Sequence, residues 1–362
     1  MSSYKKRPVA ITMGCPAGIG PEIVVKALLG SDNASPPSPS MPSWGRVIIG
    51  DLEILRQTAE NLGFQPDFRI WNPEEPVLSE SRQSIYVLPV TSISPRELCL
   101  GRPSALTGEA SYRYISTALD LAIDKKVAAI VTAPISKEGL KLAGINFPGH
   151  TEILADRCGC SSFAMMMAGK RLRVVLVTIH VPLSKVTGLL NKEAILDTLR
   201  LTWQSLLADF GLNAPRIGIA GLNPHAGEDG MFGREEQDII TPAVQRAREM
   251  GMDVTGPLPP DTIFFKAANG AFHAVVAMYH DQGLIPFKLL HFSDGVNVTI
   301  GLPIVRTSVD HGTAYDIAGK GIAHEQSMLS ALEMAQLMVR NRAEYSKVAG
   351  LSPAGETRSG SL

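Results

Sequence analysis

The chain has 362 residues, of which 45% are hydrophobic and 19% charged, and its formal net charge is -1. Such a composition supports a sizeable core and argues against disorder, and it lacks the basic excess of a general nucleic-acid binder. Four cysteines make no disulfide framework in a chain this long, and no run approaches the roughly 18 apolar residues of a membrane span, so the default setting is soluble, reducing and cytoplasmic.

Pro8 to Met13 predicts a first strand, and Gly14-Cys-Pro-Ala-Gly-Ile-Gly20 the turn after it. Pro21 and Glu22 then open a helix, proline early and an acid in its first turn. The glycine spacing is neither G-x-G-x-x-G nor G-x-x-x-x-G-K-[ST], so this turn reads equally as structural or as an anion cradle at a helix start. The Ser/Pro-rich stretch 31–43 predicts an exposed loop. Arg46 to Gly50 is a second strand with a helix behind it, and 64–100 alternates short apolar runs with prolines, as strands and loops do.

Ala105 to Lys126 has helical periodicity, and Val127 to Val131 reads as a buried strand. Gly144 to Glu152 is a loop entering a helix, which puts His150 and Thr151 where free amides and the helix dipole favour an anion. Arg173 to Thr178, Gly218 to Leu222 and Ala274 to Met278 are short apolar strands. Glu235 to Met250 predicts a charged amphipathic helix. A last helix runs from Ser327 to about Glu344, and 345–362 reads as a frayed tail. Strands alternating with helices indicate an α/β architecture. Cys158-Gly-Cys160 has a C-x-C spacing, but no second cysteine pair stands near it in sequence.

Three of the eight histidines share one context. His180, His225 and His280 each follow a short apolar strand. Imidazoles converging at strand ends make a catalytic divalent-metal site, for zinc, manganese, cobalt or, least comfortably, magnesium. The alternative is three unrelated loop histidines. His273, His291 and His324 lack that context and read as surface or packing residues. Arg306, Lys288, Asn297 and His150-Thr151 form a second set able to clamp a phosphate and a carboxylate. Asp261 and Asp281 either orient a ligand or relay a proton.

The motifs ITMGCPAGIGPEI, GINFPGHTE, GLNPHAGEDGMFGREE, GPLPPDT, AMYHDQG, GVNVTIGLP and RTSVDHGTAYDIAGKG, in this order, resemble the 4-hydroxythreonine-4-phosphate dehydrogenase family of vitamin B6 biosynthesis, PdxA. The resemblance covers about residues 8–340. HGTAYDIAGKG is also similar to the nucleotide loop of isocitrate and isopropylmalate dehydrogenases. The resemblance implies a two-lobed α/β enzyme of that wider fold, 1–362 forming one catalytic unit without a Rossmann fingerprint. It implies an obligate homodimer with the active site at the subunit interface. The metal ligands would be His180, His225 and His280, contributed across the dimer, and the substrate contacts His150, Thr151, Lys288, Asn297 and Arg306. NAD would lie near 311–320, and Asp261, Asp281 and Lys288 remain candidates for acid–base work. The implied reaction oxidises the C3 hydroxyl of 4-phosphooxy-L-threonine and then decarboxylates it to 3-amino-2-oxopropyl phosphate.

One departure stands out. Cys15 occupies the position of the acid in the family's G-[DE]-P-A-G-I-G-P motif. A branch of the same family acts on D-threonate or D-erythronate 4-phosphate, and NPHAGEDGMFGREE and HDQGLIPFKLLHFSDGVN look closer to that branch. A terephthalate dihydrodiol relative also exists, but His150 and Arg306 speak against a substrate without phosphate. A metal- and substrate-binding relative without turnover is the remaining alternative, motivated by Cys15.

Overall fold

A computed structural model describes residues 7–30, 44–77, 84–147, 149–348 and 350. The chain divides into two compact units, one of 1–161 and 293–336, the other of 162–292 and 337–362. The expected loop at 31–43 lies outside the described residues, as does most of the expected tail, 349 and 351–362.

The first unit begins with β1 (Val9–Thr12), whose four residues are all buried, and α1 (Gly20–Leu29), which has proline in its first turn. β2 (Arg46–Asp51) leads into α2 (Leu52–Asn61) through Asp51, whose carboxylate accepts from the backbone N–H groups of Glu53 and Ile54. The same buried carboxylate accepts from Thr91 Oγ1 and from the Ile93 N–H. A dinucleotide fold of Rossmann type offers the acid at this point to a ribose; here its oxygens serve the protein. β3 (Asp67–Ile70), β4 (Ser84–Thr91), α3 (Ala105–Ile123), β5 (Ala129–Thr132), α4 (Lys137–Leu142) and α5 (His150–Arg157) follow. α3 packs across β1, β2, β4 and β5. It ends at Ile123, three residues before the limit that periodicity predicts, with Asp124 as its C-cap.

The second unit opens with the methionine-rich β6 (Ala164–Ala168) and β7 (Arg173–Leu176), then α6 (Leu183–Leu189) and α7 (Lys192–Ala208). Next come β8 (Ile217–Ala220), a π-helical turn at Glu236–Ile240 running into α8 (Thr241–Glu249), β9 (Val254–Leu258) and α9 (Pro260–Ala268). The single helix expected from Glu235 is therefore a π turn continued by a shorter α-helix. β10 (Ala274–Ala277) leads into α10 (His280–His291). This helix contains Pro286, which hides it in the sequence, and a β-carbon on Gly283 would fall 2.6 Å from Val174 and 2.8 Å from Leu176. Glycine there lets α10 lie close on β7 and β10.

The chain then returns to the first unit with β11 (Val296–Ile300), β12 (Arg306–Val309) and α11 (Gln326–Val348), whose last turns belong to the second unit. Helix continues through Tyr345–Val348, inside the range read as tail. In the first unit the strands run β3-β4-β2-β1-β5-β12-β11, parallel except for the β11–β12 pair. In the second they run β6-β7-β10-β8-β9, parallel except for β6 with β7. Met167, Leu172, Val174, Leu176, Val275, Ile263 and Phe287 form the centre of its core. Both runs of strands are open, and burial of the inner strands explains the continuous apolar runs in the sequence.

Candidate active site

In the first unit Arg306 opens β12 in register with Ile130 of β5 and is 2% exposed. Its guanidinium donates to Thr299 Oγ1 at 3.0 Å and to Thr132 Oγ1 at 2.7 Å. Its Nε is buried without a partner, and no carboxylate among the described residues is within ion-pair distance. Burial lowers its pKa to about 10, against the charge of Glu152 further off. Arg306 stays a cation at neutral pH, with Glu152 acting on it only from beyond ion-pair distance.

His150 begins α5, whose Gly149 cap offers no side-chain bond to the free amides of the first turn. His150 Nε2 is buried and unpartnered, and burial, then the charge of Arg306, holds the imidazole well below its ordinary pKa and therefore neutral. Asn297, on β11 opposite Ser308 of β12, leaves its amide oxygen unpartnered as well. Such orphaned groups are rare in interiors, and together they fit a ligand with an anionic group and a hydroxyl or amine. Thr132 and Thr299 carry no signal in the sequence, being ordinary strand residues until the fold sets them against Arg306.

In the second unit β10 is flanked by β7 and β8, all three parallel. His180, His225 and His280 thus follow the carboxyl ends of three adjacent strands. The rings of His180 and His280 have centroids 5.7 Å apart. His280 Nδ1 lies 2.7 Å from Asp281 Oδ1. Donation to that carboxylate leaves Nε2 with its lone pair for a ligand, so Asp281 orients a histidine. His225 packs on Phe232, with centroids 5.9 Å apart.

His225 also heads a run of five residues, to Asp229, in the left-handed region, four of them not glycine. Each such residue costs ~1–2 kcal/mol. The turn is braced by Glu236, which is 4% exposed. Its carboxylate accepts from the backbone N–H groups of Leu222 and Asn223, both at 2.7 Å, and from Asn223 Nδ2 at 3.0 Å. Three imidazoles at strand ends suit a divalent cation of borderline softness. Among the described residues, though, no group of three or more His, Cys, Asp or Glu side chains is close enough within one chain to hold a metal.

The other candidates fall as follows. Lys288 Nζ lies over the Phe292 ring, 5.8 Å from its centroid, on α10. Asp261 is exposed in the first turn of α9, and no hydrogen bond among the described residues joins it to a histidine. His291 is 3% exposed and accepts from the Arg171 N–H, and His273 accepts from the Arg216 N–H, so both are packing residues. His324 is exposed. Cys158 and Cys160 are free thiols.

Loop 311–321 of the first unit is tied down by Glu22. Its carboxylate accepts from the N–H groups of Gly321 and Ala323 and pairs with Lys26, which in turn donates to the carbonyls of Gly321 and Ala323. A cavity of about 230 Å³ borders this loop at Gly319, Lys320 and Gly321, with Gln57, Asn61, Leu98 and Leu100 on its other walls.

Comparison with known proteins bears on both groups of residues. Residues 44–335 match the family described as "Pyridoxal phosphate biosynthetic protein PdxA". The 4-hydroxythreonine-4-phosphate dehydrogenase of Desulforapulum autotrophicum is 51% identical over 333 residues, 91% of this chain and 95% of the relative. The D-threonate 4-phosphate dehydrogenase of Salmonella typhimurium is 44% identical over 332 residues, 91% of this chain and 98% of the relative. The crystal structure of 4-hydroxythreonine-4-phosphate dehydrogenase from Klebsiella pneumoniae aligns with a TM-score of 0.82 at 42% identity, over 93% of this chain and 99% of that one. Agreement in sequence and in α/β fold over nearly the whole length makes this chain an oxidoreductase of the PdxA dehydrogenase family.

Proposed function

We propose that the protein oxidises the C3 hydroxyl of 4-phosphooxy-L-threonine with NAD and a divalent metal, in pyridoxal phosphate biosynthesis. The 3-oxo acid formed is a β-keto acid and loses carbon dioxide, giving 3-amino-2-oxopropyl phosphate. What supports this most is the pairing of a buried, unneutralised Arg306 with a neutral His150 whose Nε2 has no partner. A phosphate would complete both, together with the free amides at Thr151 and the start of α5. Asn297 and Lys288 would hold the remaining polar groups of the substrate.

His180, His225 and His280 would hold the metal, with Asp281 fixing the tautomer of His280. When bound, the metal supplies Lewis acidity to the hydroxyl and enolate, and NAD supplies the hydride acceptor. Asp261, Asp281 and Lys288 stay the candidates for moving the hydroxyl proton, and Asp281 is the one bonded to a candidate metal ligand. The cavity beside 319–321 is smaller than the about 300–1,000 Å³ of a whole ligand site, so it suits one end of a dinucleotide.

We also infer a cytoplasmic homodimer with the active site at the subunit interface. Among the described residues no helix is long and apolar enough to cross a membrane. Large apolar side chains stand exposed on the segments that follow the three histidines: Leu183 at 67%, Met231 at 75%, Ile285 at 68% and Leu289 at 86%. Exposed apolar side chains of this size are what a subunit interface would cover.

A second reading is oxidation of D-threonate 4-phosphate, which shares the phosphate, the C3 hydroxyl and the carboxylate and differs at C2. Relatives of both names match nearly the whole chain. The test is NADH formation from each compound with Mn2+ or Zn2+ present, with His180→Ala as control. Turnover of the amino acid alone supports the first reading, and turnover of the threonate alone the second. Binding of metal and substrate without NADH would leave a non-catalytic relative.

A further inference from the structure

In the first unit β5 leaves the sheet through Thr132-Ala-Pro-Ile-Ser136, and this connection is pinned along its length. The Ala133 N–H donates to the Thr12 carbonyl, and the Cys15 N–H to the Pro134 carbonyl. Ser136 Oγ accepts from the Gly139 N–H at 3.0 Å and so makes Lys137 the first residue of α4. α4 lies close on α3 with glycine against glycine: a β-carbon on Gly108 would run into the Gly139 carbonyl. The same connection borders the anion pocket. Thr132 Oγ1 accepts from Arg306, and the His150 imidazole donates to the carbonyl of Ala133. Lys137 Cε lies 3.9 Å from where a β-carbon of Gly149 would stand, and Gly149 caps α5 directly ahead of His150. Glu152 Oε2 is 3.5 Å from that same point. Lys137 is exposed and has no hydrogen bond or ion pair among the described residues.

We propose that Lys137 is a further substrate-binding residue: its ammonium closes the anion pocket from the Gly149 side, as the second cation on the phosphate. Charge decides this. A phosphate monoester is close to a dianion at neutral pH. Arg306, its Nε buried and unpartnered, supplies one positive charge, and Glu152 sets one negative charge against it. Those two together leave no net charge to offer a dianion, and Lys137 restores a positive one. Its stem is free to swing, and at Gly149 no side chain stands between the ammonium and the free amides that open α5. A compact ammonium with three donors suits an approach that fixes no angle, whereas the planar Arg306 fork is already held by two threonines. The inference rests on the reading of Arg306 and His150 as a phosphate site.

The test is calorimetric titration of the ligand-free protein with inorganic phosphate at about pH 8, where phosphate is the dianion. Wild type is compared with Lys137→Met, Lys137→Arg, Lys141→Met and Arg306→Lys. Lys141 is the exposed lysine in the last turn of α4, so its loss removes the same charge from the same helix. Lys137→Met should weaken phosphate about 10- to 100-fold, Lys137→Arg should restore most of the affinity, and Lys141→Met should bind as wild type does. Wild-type affinity in Lys137→Met, or an equal loss in Lys141→Met, would overturn this inference alone. A wild type that binds no phosphate, or an Arg306→Lys variant that binds it undiminished, would overturn the phosphate site itself, and this inference with it.

Discussion

Glu236 Oε1 accepts the backbone N–H of Asn223 at 2.7 Å, two residues before the left-handed run headed by His225. That bond and its neighbour from Leu222 hold open a conformation that the local sequence disfavours. Glu236→Gln keeps the shape but weakens two charge-assisted bonds, so unfolding in urea should show a loss of about 1–3 kcal/mol. Gly227→Ala should be worse. Its φ is +82°, and a β-carbon would stand 2.6 Å from Glu236 Oε2. Both variants should lose affinity for divalent metal while the anion site in the other unit stays intact, which phosphate protection against unfolding would measure.

Arg306 yields a prediction in binding. Arg306→Lys keeps a charge but cannot reach Thr132, Thr299 and a ligand at once. Charge-assisted hydrogen bonds contribute about 1.5–3 kcal/mol, so KM for a phosphorylated substrate should rise about 10- to 150-fold with a smaller change in kcat. Thr132→Val removes the 2.7 Å acceptor of the guanidinium and should raise KM in the same direction, and Thr132→Ser should restore it.

His150 makes stability depend on pH. Its pKa in the folded protein is depressed by burial, and then by Arg306, below the unfolded value of about 6.5. As pH falls through that value the unfolded chain takes up a proton that the folded one refuses, so stability present above about pH 6.5 declines below it. Denaturation between about pH 5 and 7.5 should show the decline, and His150→Asn should flatten it. Inorganic phosphate, by favouring the imidazolium in the folded protein, should make the decline shallower.

The exposed apolar residues of α10 test the dimer. Leu289 is 86% and Phe292 82% exposed, a poor arrangement for a monomer in water. Leu289→Glu should give a monomer in sedimentation and, because the metal ligands are proposed to come from both subunits, should lower metal affinity at the same time.

Much of this was legible from the sequence, and the reason is local. β1, β5 and β10 are short runs buried on both faces, each ending in polar residues, so composition alone marks them. The same mark singled out His180, His225 and His280 as candidates, and each follows the carboxyl end of a strand. What the sequence withholds is what depends on pairing. Gln282 reads as one more polar residue in HDQG until Gly221, 61 residues away, receives its amide. Thr132 and Thr299 read as strand formers, and Arg306 as a charge at a strand end, until β12 is laid between β5 and β11. Pro286 argues against a helix that tertiary packing nevertheless builds, and the left-handed run takes Ala226, Glu228 and Asp229 against their preferences.

Cys15 is the remaining point of decision between an active enzyme and a silent relative. It is 1% exposed, its N–H donates to the Pro134 carbonyl, and its Sγ lies 3.4 Å from the Tyr315 hydroxyl. The thiol therefore joins the 14–20 turn to the 311–321 loop, an attachment that the Ile19 N–H to the Thr313 carbonyl repeats. Burial raises the pKa of the Tyr315 phenol, which stays neutral. A carboxylate at position 15 would accept from that phenol more strongly but would bring a charge into a buried turn. Since Cys15 serves the loop contact, Cys15→Ser should leave Co2+ binding and phosphate protection near wild type. Cys15→Ala should cost about 1 kcal/mol of stability from the lost contact. If Cys15→Asp alone switches on NADH formation in an otherwise metal- and substrate-binding protein, the acid acts in turnover; equal rates in wild type and Cys15→Asp would mean that the position only closes the loop.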